Sequence, residues 1–172
     1  MIYSKDLFPT KSDTLGNFVI YHVTDRNVVR QADFHLASQI TSILPISLPD
    51  GQCINVILTA EGAMGVFLFV TGEEYTKLSS LQKRLIEALP QNAALNNFNF
   101  RKYMSDGMMK YPRRKGVLDM GVIRKYLMLS TQEQEDIAKS LDLETKEITE
   151  VIYRTDKLLY NMFWDCLLKV TC

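Results

Sequence analysis

Cysteine and histidine are scarce in this chain, and both scarcities exclude chemistry. Three cysteines, Cys53, Cys166 and Cys172, stand far apart with no CxxC spacing, so a disulfide framework and a zinc knuckle have no ligands to build from. Unpaired thiols of this kind fit a reducing compartment, and a cytoplasmic setting is expected. The first residues, MIYSKDLFPTKSD, lack the apolar run of a secretory leader. Apolar runs stay short, the longest near Ala63–Val70, so no membrane partner is expected. Dinucleotide fingerprint, phosphate-binding loop, HExxH helix and nucleophile elbow are all missing. No cofactor and no metal are expected, and the chain reads as a non-enzyme. His22 and His35, the two histidines, could be drawn with Asp33 and Cys53 into a nucleophile and base, but nothing in their spacing fixes such a geometry. Core or surface roles suit them better.

Charge of one sign is missing too. Twenty basic and twenty acidic side chains cancel over 172 residues, so total charge selects no partner. Its distribution is uneven. Residues 1–100 carry seven basic and nine acidic groups, residues 101–125 eight and two, and residues 126–172 five and nine. A basic segment therefore precedes an acidic one. In it Arg101, Lys102, Lys110, Arg113, Arg114 and Lys115 interleave with Tyr103 and Tyr111, a composition suited to a phosphate backbone.

What is plentiful is apolar patterning, at 47% hydrophobic residues. Phe18–Val23 reads as a strand ending at Thr24-Asp25. Val28, Val29, Ala32, Leu36, Ile40 and Ile43 recur at steps of three and four, which predicts an amphipathic helix of about five turns stopping before Pro45. Cys53–Ala60 and Val66–Val70 flank a glycine-bearing turn and predict a hairpin of central strands covered on both faces. Tyr75, Leu78, Leu81, Leu85, Ile86 and Leu89 predict a further helix ending at Pro90. Phe98, Phe100 and Tyr103 alternate like a short edge strand. The expected fold class is α+β, a small N-terminal β-α-β-β-α domain over residues 1–111, a linker over 112–121, and a C-terminal helical unit over 122–172.

The stretch Thr131–Arg154, TQEQEDIAKSLDLETKEITEVIYR, organises that last unit. Ile137, Ala138, Leu141 and Leu143, then Ile148 and Val151, make two short helical faces separated near Asp142. Two such helices bury little unless they cross closely, and Ala138 permits the approach. The pattern resembles the helix-turn-helix of bacterial transcription regulators, LuxR-type or sigma-region-4-like. The resemblance implies a DNA-binding regulator of bacterial, phage or plasmid type, with Lys110, Arg113, Arg114, Lys115, Arg124 and Lys125 on the phosphate backbone and Thr145, Lys146, Thr149, Tyr153 and Arg154 facing the groove. Seven acidic residues against two lysines between Glu133 and Glu150 favour a second reading, in which the same shape is an interaction module docking a basic protein through Glu144, Glu147 and Glu150. Beyond it, Leu158, Leu159, Met162, Phe163, Trp164 and Leu167 continue an apolar stripe and predict a homodimer through the C-terminal helix.

Overall fold

The computed structural model describes residues 10–24, 26–47, 53–90, 104–105, 108–109 and 116–170, and it divides into two units. The first comprises Met1–Thr71 and Leu89–Val117, the second Gly72–Ala88 and Leu118–Cys172.

The first unit is built on two antiparallel meanders. In one, β1 (Thr10–Ser12), β2 (Asn17–Val23) and β3 (Val28–His35) lie in sequence order, with Phe18 opposite Phe34 and a bulge after Ile20. The turn between β1 and β2 is fixed by Asp13, whose carboxylate accepts from the Leu15 and Asn17 backbone N–H groups and from the Asn17 side-chain amide, at 3.0, 2.9 and 2.8 Å. Gly16 turns the chain at φ +79°, where a Cβ would lie 2.5 Å from the Ser38 nitrogen, so glycine is required there.

The other meander is β4 (Ile40–Ser47), β5 (Cys53–Thr59) and β6 (Met64–Leu68), again in order, with Ile57 opposite Ile43 and Gly65. Phe18, Ile20, Ala32, Ile40 and Ile57 form one buried cluster drawn from both sheets, with Leu36, Ile43, Phe67 and Val117 against it. The Phe18 and Phe67 rings tilt together at 5.1 Å between centroids. A two-stranded ladder, β7 (Met104–Ser105) with β8 (Met108–Met109), completes the described strands.

This overturns the expected α+β class. The five-turn helix over Val28–Ile43 is absent, and the segment forms β3 and the start of β4. The spacing that suggested it is a coincidence of two strands joined at Leu36–Gln39, where Ala37 takes φ 59° without the glycine or proline that marks a break. Val28 and Val29, assigned to an inner helical face, are 66% and 47% exposed. Pro45 does not end a helix; it sits within β4, an edge strand, where a missing N–H costs no central ladder bond. The hairpin arms were expected to be central, yet β6 is an edge and only β5 is central. Within the unit, residues of the other sheet pack against it. The expected edge strand at Phe98–Tyr103 lies outside the described residues.

The second unit is helical. α1 (Gly72–Ala88) buries Leu78, Leu81, Gln82 and Leu85 on one face. α2 (Met120–Ile123) starts on an Asp119 cap and runs into a 3-10 turn, Arg124–Met128. The Gln82 side-chain oxygen accepts the Asp119 N–H at 2.6 Å, tying that start to α1. α3 (Thr131–Ser140) opens with a capping box in which Ser130 and Glu133 satisfy each other's backbone N–H. Asp142, at φ 55°, makes the turn to α4 (Thr145–Val170). Ile148 and Ile152 on α4, Ala138 on α3 and Tyr126 on the 3-10 turn are buried.

Candidate docking surface

In the helical unit three of the residues assigned to a DNA groove are engaged within the unit. Thr145 is half-buried against the Tyr126 hydroxyl, and Thr149 gives its own hydroxyl to the Thr145 carbonyl at 2.8 Å. Arg154 is ion-paired with Glu74 of α1. Lys146 and Tyr153 are exposed on the solvent side, with Lys146 paired to Glu150 at 3.9 Å. Of the two described phosphate candidates, Arg124 is held by Asp156 and Lys125 is half-buried. Lys110, Arg113, Arg114 and Lys115 lie outside the described residues. Leu158, Leu159, Met162, Phe163, Trp164 and Leu167 are on the α4 backbone, with their side chains outside the described ones.

Of the acidic residues offered as a protein-docking face, Glu147 is engaged by α1, Glu150 lies beside Lys146 of its own helix, and Glu144 is exposed. Lys77 of α1 reaches Glu147 at 2.6 Å and Glu73 at 3.0 Å, and hydrogen bonds to these two carboxylates hold its ammonium above the ordinary lysine range. Such half-exposed pairs add little energy each, but they set which face of α4 meets α1. Beneath them Leu78, Leu81, Leu143, Ile148 and Val151 line a shallow apolar notch. Tyr126 joins three elements at its centre. Its hydroxyl donates to the Gln134 carbonyl at 3.0 Å, and the Gln134 amide donates back to the carbonyls of Tyr126 and Leu129. Burial pushes the phenol upward from its ordinary value, against a smaller opposing hydrogen bond from Thr145.

The sheet unit separates the candidate catalytic residues. His22 pairs with Val29 near one end of the β2–β3 ladder and His35 with Asn17 at the other. Cys53 belongs to the second sheet, opposite Ser47. The His35 ring Nδ1 lies 3.2 Å from the Asn17 side-chain oxygen, which ties it to the Asp13 turn. Asp33, 1% exposed, is salt-bridged to Arg30 at 3.2 Å. A nucleophile and base would need reach of about 3 Å, and these residues do not share a place. Among the described residues no three His, Cys, Asp or Glu side chains group to hold a metal, and no helix is long and apolar enough to cross a membrane.

What sequence reasoning missed is apolar exposure on the sheets. Leu15, Val28, Val29, Leu44, Met64 and Phe69 are each about half exposed or more. Adjacent Val28 and Val29 point to opposite sides of a strand, so an apolar pair there puts at least one on an outer face. That signal was readable once the segment was taken as a strand.

Comparison with known proteins adds the family context. The family described as CPSF A subunit region matches residues 4–128. Similar proteins include a probable cleavage and polyadenylation specificity factor subunit 1 of Oryza sativa subsp. japonica, 26% identical over 132 residues, covering 72% of this chain and 9% of that protein. DNA damage-binding protein 1a of Arabidopsis thaliana is 29% identical over 119 residues, covering 67% of this chain and 11% of its own length. Protein cft1 of Aspergillus niger is 28% identical over 119 residues, covering 64% and 8%. The chain thus spans about a tenth of the length of the relatives it matches. These matches to plant and fungal proteins overturn the resemblance to bacterial helix-turn-helix regulators, the bacterial, phage or plasmid setting and the regulator function. The matches give no support to the rival acidic docking module either. The resembling stretch, Thr131–Arg154, falls outside the matched residues. Two short amphipathic helices around a tight turn are a general packing solution, and their shape alone does not carry a partner.

Proposed function

The chain belongs to the CPSF A subunit region family, and from that premise we propose that it is a non-enzymatic segment of an assembly subunit, one that holds protein partners and nucleic acid together. The observation that carries this reading is the reach of the family match. It runs across both meanders, α1, α2 and the 3-10 turn, so what is shared is a framework rather than a catalytic motif. Relatives named for cleavage and polyadenylation and for DNA damage binding share that framework, which suits a scaffold better than a substrate pocket. Consecutive antiparallel meanders with a common core are what a radially repeated sheet array is made of, and the two sheets are read here as neighbouring blades. Exposed Val28, Val29, Met64 and Phe69 supply the protein-facing surface. The basic run with Lys110, Arg113, Arg114 and Lys115 is the segment assigned to phosphate contact.

Titrating purified chain with single-stranded RNA and with duplex DNA across a salt series tests the nucleic-acid half of the reading. Binding indifferent to sequence is expected, without turnover of either strand. Replacing Arg113, Arg114 and Lys115 by Ala should flatten the slope of log K against log salt by up to about 2.7 for duplex, at about 0.9 per phosphate contact. Cleavage of either nucleic acid, or a slope untouched by the triple substitution, would contradict it.

A further inference from the structure

α4 turns one face into the helical unit and another away from it. Ile148, Ile152 and Thr155 are buried, while Lys146, Glu150, Tyr153, Lys157 and Tyr160 are exposed. At about 100° per residue the five exposed positions fall within about 80° of arc, opposite the buried ones. Arg154 and Asp156 flank this stripe on either side and are drawn to Glu74 and Arg124. Tyr153 and Tyr160 are 59% and 62% exposed, large aromatic area for an outer helical face.

The order of the stripe is self-complementary. Counted from Tyr153, Lys146 and Tyr160 lie seven residues to either side, and Glu150 and Lys157 lie three before and four after. We propose that two copies of this chain pair antiparallel along this stripe, with Tyr153 at the twofold axis. Each Glu150 then meets the Lys157 of the second copy, each Lys146 ammonium meets a Tyr160 ring, and the two Tyr153 rings meet each other. Lys146 and Glu150 are only 3.9 Å apart within one copy and both well exposed, so Glu150 can turn to the new lysine at small cost. The pairing spans about 21 Å of helix, at 1.5 Å per residue. Five stripe residues per copy fall short of the about 20–30 residues a side of standard interfaces, so weak association, in the range of about tens of micromolar, is expected. This stripe is distinct from the apolar positions at Leu158, Leu159 and Met162, and the proposal does not depend on the assembly role above.

Sedimentation equilibrium of the full chain, with charge reversals, tests it. The parent should dimerise. Glu150→Lys and Lys157→Glu should each raise the dimer Kd by about tenfold or more, because each sets like charges opposite one another twice. The double reversal should restore the parental Kd, and Tyr153→Ala should weaken it with unchanged far-UV circular dichroism. A parent that stays monomeric at about 300 µM, well above the expected range, would overturn the proposal. So would single reversals that dimerise like the parent, or a double reversal that does not recover.

Discussion

Removing the hydroxyl of Tyr126 probes the joint of the helical unit without opening a cavity. The side chain is fully buried, and its hydroxyl donates to the Gln134 carbonyl at 3.0 Å, while the Gln134 amide returns bonds to Tyr126 and Leu129 at 3.0 and 3.2 Å. Tyr126→Phe keeps the ring and loses both the bond to Gln134 and the one the hydroxyl accepts from Thr145. The Gln134 carbonyl retains its place in α3, so the cost is the net worth of two neutral hydrogen bonds, about 1–2 kcal/mol. Alkaline pH adds a second signature. Burial raises the phenol in the folded chain, whereas in the unfolded chain it ionises near its ordinary value of about 10. Below that value both states hold the proton and the stabilisation is complete; as pH rises toward the folded value the unfolded state alone loses its proton, and stability falls. The phenylalanine variant lacks this loss, so its deficit narrows above about pH 10. Urea unfolding followed by far-UV circular dichroism, at neutral and at alkaline pH, measures both effects. Equal midpoints at neutral pH, or a gap that stays constant through the alkaline range, would refute the reasoning.

Three other outcomes follow from separate features. Ala138 is 2% exposed and its carbonyl accepts from Leu141 and Leu143, so Ala138→Leu overpacks the α3–α4 crossing and should cost about 1–3 kcal/mol in thermal or urea unfolding. Gly116 sits at φ +66° with the site of a Cβ only 2.6 Å from the Gln31 carbonyl oxygen, and Gly116→Ala should destabilise the sheet unit by about 1–3 kcal/mol, read by proteolysis of residues 10–68. The Glu133 carboxyl is held below the ordinary range first by the Ser130 hydroxyl and then by its backbone N–H, so its stabilisation is complete above the unfolded value and lost as pH falls through the folded one; Glu133→Gln should flatten the acid limb of the helical unit's stability curve.

Local patterns were legible where one physical signal acted alone. The alternating, β-branched Phe18–Val23 became β2, the run at Cys53–Ala60 became β5, and Tyr75, Leu78, Leu81 and Leu85 became α1. Ala138 and the break at Asp142 were readable because small residues and left-handed turns have few other uses between helices. Illegible was the partner each element takes. Val28–Ile43 carries a spacing that suits a helix and two strands alike, and the pairing of β3 with β2 decided between them through non-local ladder bonds. At the site, Thr145, Thr149 and Arg154 were assigned from the resemblance, and a motif's shape does not tell which of its residues a neighbouring element engages. Glu74 of α1 pairs with Arg154, and Tyr126 of the 3-10 turn takes the Thr145 hydroxyl.

The claim that this chain is held within a larger assembly is tested most directly by its mass on gel filtration with light scattering, after tagged isolation from its own cells and exhaustive nuclease treatment. The account predicts elution far above 19.8 kDa with the same protein partners at fixed stoichiometry before and after nuclease. Elution at one or two chain masses, with every partner released by the nuclease, would contradict it.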